Sequence, residues 1–181
     1  MRFPRVSFAR FAISVIILVM TQFVLSFLGG FGDTVASSVY WVSVGCASLV
    51  MARMFSLDIV LLATLFAPLA GIAQGMAPDV IVAAFLAMGN AIYVLLIFIN
   101  ERRSPLWGVI IGSLIKSLYL WMVFNKVIPA FRQPPDEYFI IGVSGWKAFV
   151  GSLAGGLLAT PYLFKRYLDE RGLGENERNY L

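Results

Sequence analysis

Residues Val80 to Asn100 read VIVAAFLAMGNAIYVLLIFIN, 21 consecutive positions without a charge. As an α-helix, a run of that length extends for about 30 Å, the thickness of the hydrocarbon core of a bilayer. In that environment the backbone must satisfy its own hydrogen bonds, so the segment is a spanning helix rather than a strand. Asn90 stands near its middle.

The same pattern repeats on both sides. Phe11 to Gly32, Thr34 to Ala52 and Ile59 to Pro78 carry no charge. Leu106 to Asn125 is interrupted once, by Lys116, and Ser144 to Phe164 once, by Lys147. The reading is all-α: a polytopic six-transmembrane-helix bundle, spans near 8–28, 35–52, 57–75, 80–100, 105–126 and 142–165. It forms a single membrane domain over 1–181, and 166–181 make a polar tail. Ser104-Pro105 marks a helix start, as does Ser56 before Leu57-Asp58. Gly29-Gly30, Pro78-Asp79 and Pro129 to Pro135 mark turns, and Pro68 and Pro161 should kink or locally break the helices that hold them. The segment Lys126 to Tyr138 is expected to be a stiff, irregular connection on the outer side.

Composition agrees. Of 181 residues, 60% are hydrophobic and 13% charged, about half the charge of a soluble domain, and mean hydropathy is +0.84. Lysine and arginine placement sets the orientation. With the N-terminus cytoplasmic, ten basic residues fall on the inner side and three, Lys126, Arg132 and Lys147, on the outer side. This follows the positive-inside rule and returns the C-terminus to the cytoplasm of a multi-pass protein of the cell membrane. The first apolar run exceeds a signal-peptide core and no A-x-A site follows, so it is read as a retained span.

Several chemistries are excluded. There is no histidine, and Cys46 is the one cysteine, so imidazole catalysis, histidine-held metals and internal disulfides are absent. Gly108-x-x-x-Gly112-x-x-x-Lys116-Ser117 lacks phosphate-loop spacing, and there is no nucleophile elbow. Asp33, Asp58 and Asp79 sit at span ends rather than pairing inside. The chain is read as a non-enzyme without cofactor or metal. Its basic residues read as topology signals, not as a nucleic-acid surface.

An ionisable residue inside a membrane is a functional candidate. Lys116 lies eleven residues past Pro105, about 16 Å into the span, near the midplane. Asn90 lies eleven residues past Asp79, at matching depth on the antiparallel neighbour. An ammonium and an amide together suit a carboxylate or another polar acceptor. The competing reading has Lys116 snorkelling or bonding backbone carbonyls and Asn90 bridging helices. Tyr119 is one turn outward of Lys116; Gln74, Tyr40, Trp41 and Trp146 lie near the outer ends of their spans. They are interfacial belt residues or the walls of a pocket whose floor is Lys116 and Asn90. The sites are therefore Asn90, Lys116, Tyr119, Gln74, Trp41 and Trp146.

Small residues recur every fourth position at Ala63, Ala67, Gly71 and Gly75, at Gly108 and Gly112, and at Gly151, Gly155 and Ala159, with Ser152 and Gly156 alongside. Such ridges let helices approach closely, within this bundle or against another membrane subunit.

The stretch Met88-Gly89-Asn90-Ala91-Ile92-Tyr93-Val94-Leu95, then Arg102-Arg103, Leu106-Trp107-Gly108 and Gly112-Ser113-Leu114-Ile115-Lys116, resembles the fourth-to-fifth-span region of the S components of energy-coupling factor (ECF) importers. Size, span number and cytoplasmic termini resemble that family too. The resemblance implies a subunit that captures a vitamin or related small metabolite outside, within a membrane lipid environment. It implies as partners a transmembrane scaffold subunit and two cytosolic ATPases, whose ATP hydrolysis drives toppling and inward release. Many S components carry alanines four apart in the first span; here Ala9 and Ala12 are three apart, with Ile13 and Ile16 at the i+4 positions. The alternatives are a ligand-free membrane scaffold of the rod-shape morphogenesis type and a stand-alone secondary carrier or channel.

Overall fold

The computed structural model describes residues 8–27, 34–54, 57–73, 79–101 and 104–170. It describes the backbone alone at 8, 10, 21–27, 52–54, 65–71, 73, 101, 138 and 162–170. No strand occurs among the described residues. The helices are α1 (Phe8–Phe27), α2 (Thr34–Met54), α3 (Leu57–Ala73), α4 (Val80–Glu101), α5 (Pro105–Met122), α6 (Ile128–Phe131), α7 (Glu137–Ser144) and α8 (Trp146–Glu170). A π-turn, Val123–Val127, joins α5 to α6 without a break. Among the described residues four helical stretches are long and apolar enough to cross a membrane: Thr34–Met51, Val80–Asn100, Pro105–Phe131 and Phe139–Pro161.

Local chemistry explains the ends. Asp79 caps α4, its Oδ1 accepting from the Val82 N–H at 2.9 Å. Ser104 takes the extended backbone of an N-cap before Pro105, although its side chain makes no capping bond. Gly145 separates α7 from α8; a Cβ there would lie 2.7 Å from the Ile141 carbonyl oxygen.

Two stretches differ from the sequence expectation. The helix that begins at Pro105 runs on to Phe131, leaving a connection of only 132–136 where an irregular segment from Lys126 to Tyr138 was expected. Pro129 cannot donate to the Asn125 carbonyl, and its ring crowds that oxygen. Widening the turn before it relieves the crowding without ending the helix. At Pro161 the local break does not occur, and α8 stays helical through it. Pro68 lies in α3 where only the backbone is described, and Ser56 lies outside the described residues.

The most extensive helix contacts are α2 with α8 and α4 with α5, followed by α3 with α4, α1 with α3 and α5 with α8. Glycine makes the α2–α8 seam. A Cβ at Gly151 would lie 2.5 Å from Trp41 Cβ, and one at Gly155 would collide with the Val42 carbonyl oxygen. In α8, Gly156 does the same service for α4 and α5: a Cβ there would lie 2.5 Å from Val109 Cγ1 and 2.6 Å from the Tyr93 hydroxyl. The ridge Ala63, Ala67, Gly71 and Gly75 reaches beyond the described side chains after Ala63.

The side chains are sorted in the sense expected of a bundle in lipid. Ile81, Leu95, Ile99, Leu106, Leu114, Leu118 and Leu158 face outward, while Ser37, Ser48, Thr64, Asn90, Ser113, Lys116 and Ser152 are buried. The apolar interior divides into two clusters. One gathers Tyr40, Trp41, Val44, Leu86, Leu120, Phe124 and Val143. The other gathers Leu49, Val60, Tyr93, Val94, Ile97, Val109 and Ala159.

Candidate functional site

Lys116 lies where the two clusters meet. On α5 the residues Gly108, Val109, Gly112, Ser113, Lys116 and Leu120 form one buried stripe, at the spacing of a single helix face. The opposite face, with Trp107, Leu114, Leu118 and Trp121, is exposed. Lys116 therefore points into the bundle and is 0% exposed, so it does not snorkel. Its Nζ lies 4.3 Å from the centroid of the Trp41 ring, in the first cluster, and 5.0 Å from that of Tyr93, in the second. Two ring faces thus stabilise the ammonium through their quadrupoles. The Nζ has no hydrogen-bond acceptor among the described residues.

Both rings are held firmly. The Trp41 Nε1–H donates to the Gly142 carbonyl at 2.8 Å, tying α2 to α7. The Tyr93 hydroxyl donates to the Ser152 carbonyl at 2.7 Å, tying α4 to α8. The glycine seam of α8 lets α2 and α4 come close enough for the two rings to flank one amine.

Comparison with protein-family models, with curated proteins and with solved structures finds no match.

The remaining residues singled out by sequence fall into three groups. Asn90 is 4% exposed and lies beside Tyr40, and its Oδ1 has no donor among the described residues. Tyr40 meets Trp41 edge-on at 4.9 Å between centroids, so Asn90, Tyr40, Trp41 and Lys116 form one connected set. Tyr119 is half-buried against the first cluster, with its hydroxyl oxygen buried and without a protein partner. Trp146 is 65% exposed and stands apart from the amine. Gln74 lies outside the described residues.

Tyr93 was not among the residues selected from the sequence. The signal was present: it follows Asn90 by three positions, which places both on one face of α4. Among the described residues no group of three or more His, Cys, Asp or Glu side chains is placed to hold a metal.

At the start of α4, Arg132 forms an ion pair with Asp79, bridging the α4 cap to the segment after α6. Partial burial opposes the Asp79 charge, but the Val82 N–H and the Arg132 guanidinium outweigh it and hold the carboxyl below its usual range. The Lys147 Nζ donates to Thr34 Oγ1 at 3.1 Å, joining the starts of α8 and α2.

Proposed function

We propose that this protein is the substrate-binding subunit of an ATP-driven importer of the ECF type: a six-span protein of the cell membrane with cytoplasmic termini that takes a small metabolite from outside. The observation that carries the reading is the Lys116 amine, fully buried between two ring faces with no acceptor. A bundle kept only for structure gains nothing from a buried ammonium, because apolar side chains of similar volume fill such a place at lower cost. A binding subunit does gain, because the amine waits for a partner that arrives with the ligand. The chain's lack of a phosphate loop fits a division of labour in which a scaffold and two cytosolic ATPases supply the energy.

The test is binding and partnership together. Native mass spectrometry of the freshly purified protein should show a retained small molecule. Lys116→Ala should weaken its binding on the order of 100-fold, the loss expected of a buried charge-assisted contact. The protein should copurify with a membrane scaffold and ATPases, and uptake should need ATP. Unchanged affinity in Lys116→Ala removes the amine from the site, and full-rate uptake by the isolated chain without ATP rejects the importer reading.

A further inference from the structure

Among the described residues eight buried side-chain polar atoms lack a hydrogen-bond partner, and two of them, Lys116 Nζ and Asn90 Oδ1, are of opposite kind. Lys116 Nζ offers N–H donors and a positive charge, and no described residue accepts from it. Asn90 Oδ1 offers an acceptor, and no described residue donates to it. The Trp41 ring, 4.3 Å from the amine, meets that of Tyr40 at 4.9 Å between centroids, and the Tyr93 ring lies 5.0 Å from the amine. The buried polar side chains among the described residues include no Asp or Glu, and the other buried lysine, Lys147, is bonded to Thr34.

We infer that the ligand is a flat, ring-bearing monocarboxylate that also carries an N–H or O–H donor: the carboxylate pairs with Lys116, the donor meets Asn90 Oδ1, and the ring lies along Trp41 and Tyr40. The inference rests on the binding-subunit reading and names the ligand class of the same site. Charge balance decides it. One lysine neutralises one negative charge, and a second would be buried without a partner. A cationic ligand would face Lys116 at short range in a medium of low dielectric constant. An amino acid would bring an ammonium for which this interior holds no carboxylate. The ring contacts hold the amine without occupying its N–H donors on an acceptor, so an arriving carboxylate gains short, charge-assisted bonds.

The test uses the purified full chain and two matched sets: 4-hydroxybenzoate and indole-3-carboxylate, each beside its carboxamide and its aminomethyl counterpart. Benzoate, terephthalate and octanoate serve as the donor-free, dianionic and ring-free arms. Thermal unfolding in detergent reads binding. The expected result is that a carboxylate binds on the order of 10- to 100-fold more tightly than its amide, as a charge-assisted contact requires, with amines, terephthalate and octanoate weaker still. Lys116→Arg should keep the carboxylate preference, and Lys116→Met should abolish it. Asn90→Leu should keep it while erasing the advantage of 4-hydroxybenzoate over benzoate, and this variant serves if those at Lys116 do not fold. An amide or amine that binds as tightly as its carboxylate overturns the ligand class and leaves the binding-subunit reading standing. So does a retained solute of other charge in a protein that ignores every probe. No binding by any probe, with no retained solute, overturns both.

Discussion

Lys116 makes the interior of this bundle polar at one point, and its cost should be measurable. Among the described residues this ammonium has no acceptor and is stabilised by the rings of Trp41 and Tyr93. Removing the charge while keeping the volume should therefore stabilise the ligand-free protein. We expect Lys116→Met to raise stability by about 1–3 kcal/mol, read as the midpoint of thermal unfolding in detergent, since buried charges are often replaced by apolar groups at a gain. A lower midpoint would mean that the amine is a structural fixture. The candidate role of Lys116 was legible from sequence, because a charge inside an apolar run stands out. Its partners were only partly so. The contact with Trp41 joins α2 to α5 across 75 positions, and no periodicity reports which ring a lysine reaches. Trp146 carried the same sequence argument as Trp41, nearness to the outer end of a span, yet one is buried over the amine and the other exposed. Depth in a membrane follows from counting along a helix; facing does not.

The element scale is governed by glycine and proline. At Gly156 a methyl group would meet both Val109 and the Tyr93 hydroxyl, which already serves the Ser152 carbonyl. Gly156→Val should therefore destabilise the protein by about 1–3 kcal/mol, the usual cost of overpacking, and should loosen the Tyr93 ring beside Lys116. Hydrogen exchange at the amides of α4 would register that loosening separately from the fall in unfolding midpoint. At the start of α4, Asp79→Asn should cost roughly 0.5 kcal/mol: the side-chain cap survives in large part and the ion pair with Arg132 is about one-third exposed to solvent. The sign of its pH dependence follows from the lowered carboxyl: the contribution is full above the ordinary aspartate range and is lost as pH falls through the lower native value. Acid unfolding of the wild type and of Asp79→Asn should converge at low pH. Helix boundaries were legible wherever a charge, a Ser-Pro pair or an Asp cap marks them, as at Asp79 and Ser104. Pro129 misled because a proline signals a missing donor, and a helix can answer that by widening one turn as well as by stopping.

At the scale of the molecule, four helical stretches among the described residues have the length and composition to cross a membrane, and polar side chains face inward among apolar ones facing out. The proposed orientation, six spans with cytoplasmic termini, makes opposite demands on the two connections around α5. With Cys46 replaced by serine, a cysteine at Gln133 should react with a membrane-impermeant maleimide on intact cells. One at Ser104 should react only after permeabilisation. The reverse pattern would invert the chain and place the Asp79–Arg132 pair on the cytoplasmic side.

The chain has four tryptophans, of which Trp107, Trp121 and Trp146 are exposed and Trp41 alone is buried. Replacing the three outer ones by phenylalanine would leave a single indole with a cation poised over its face. Its emission would then rise or fall as that cation is drawn away, so the protein carries an intrinsic optical gauge of whatever engages Lys116, readable without any attached dye.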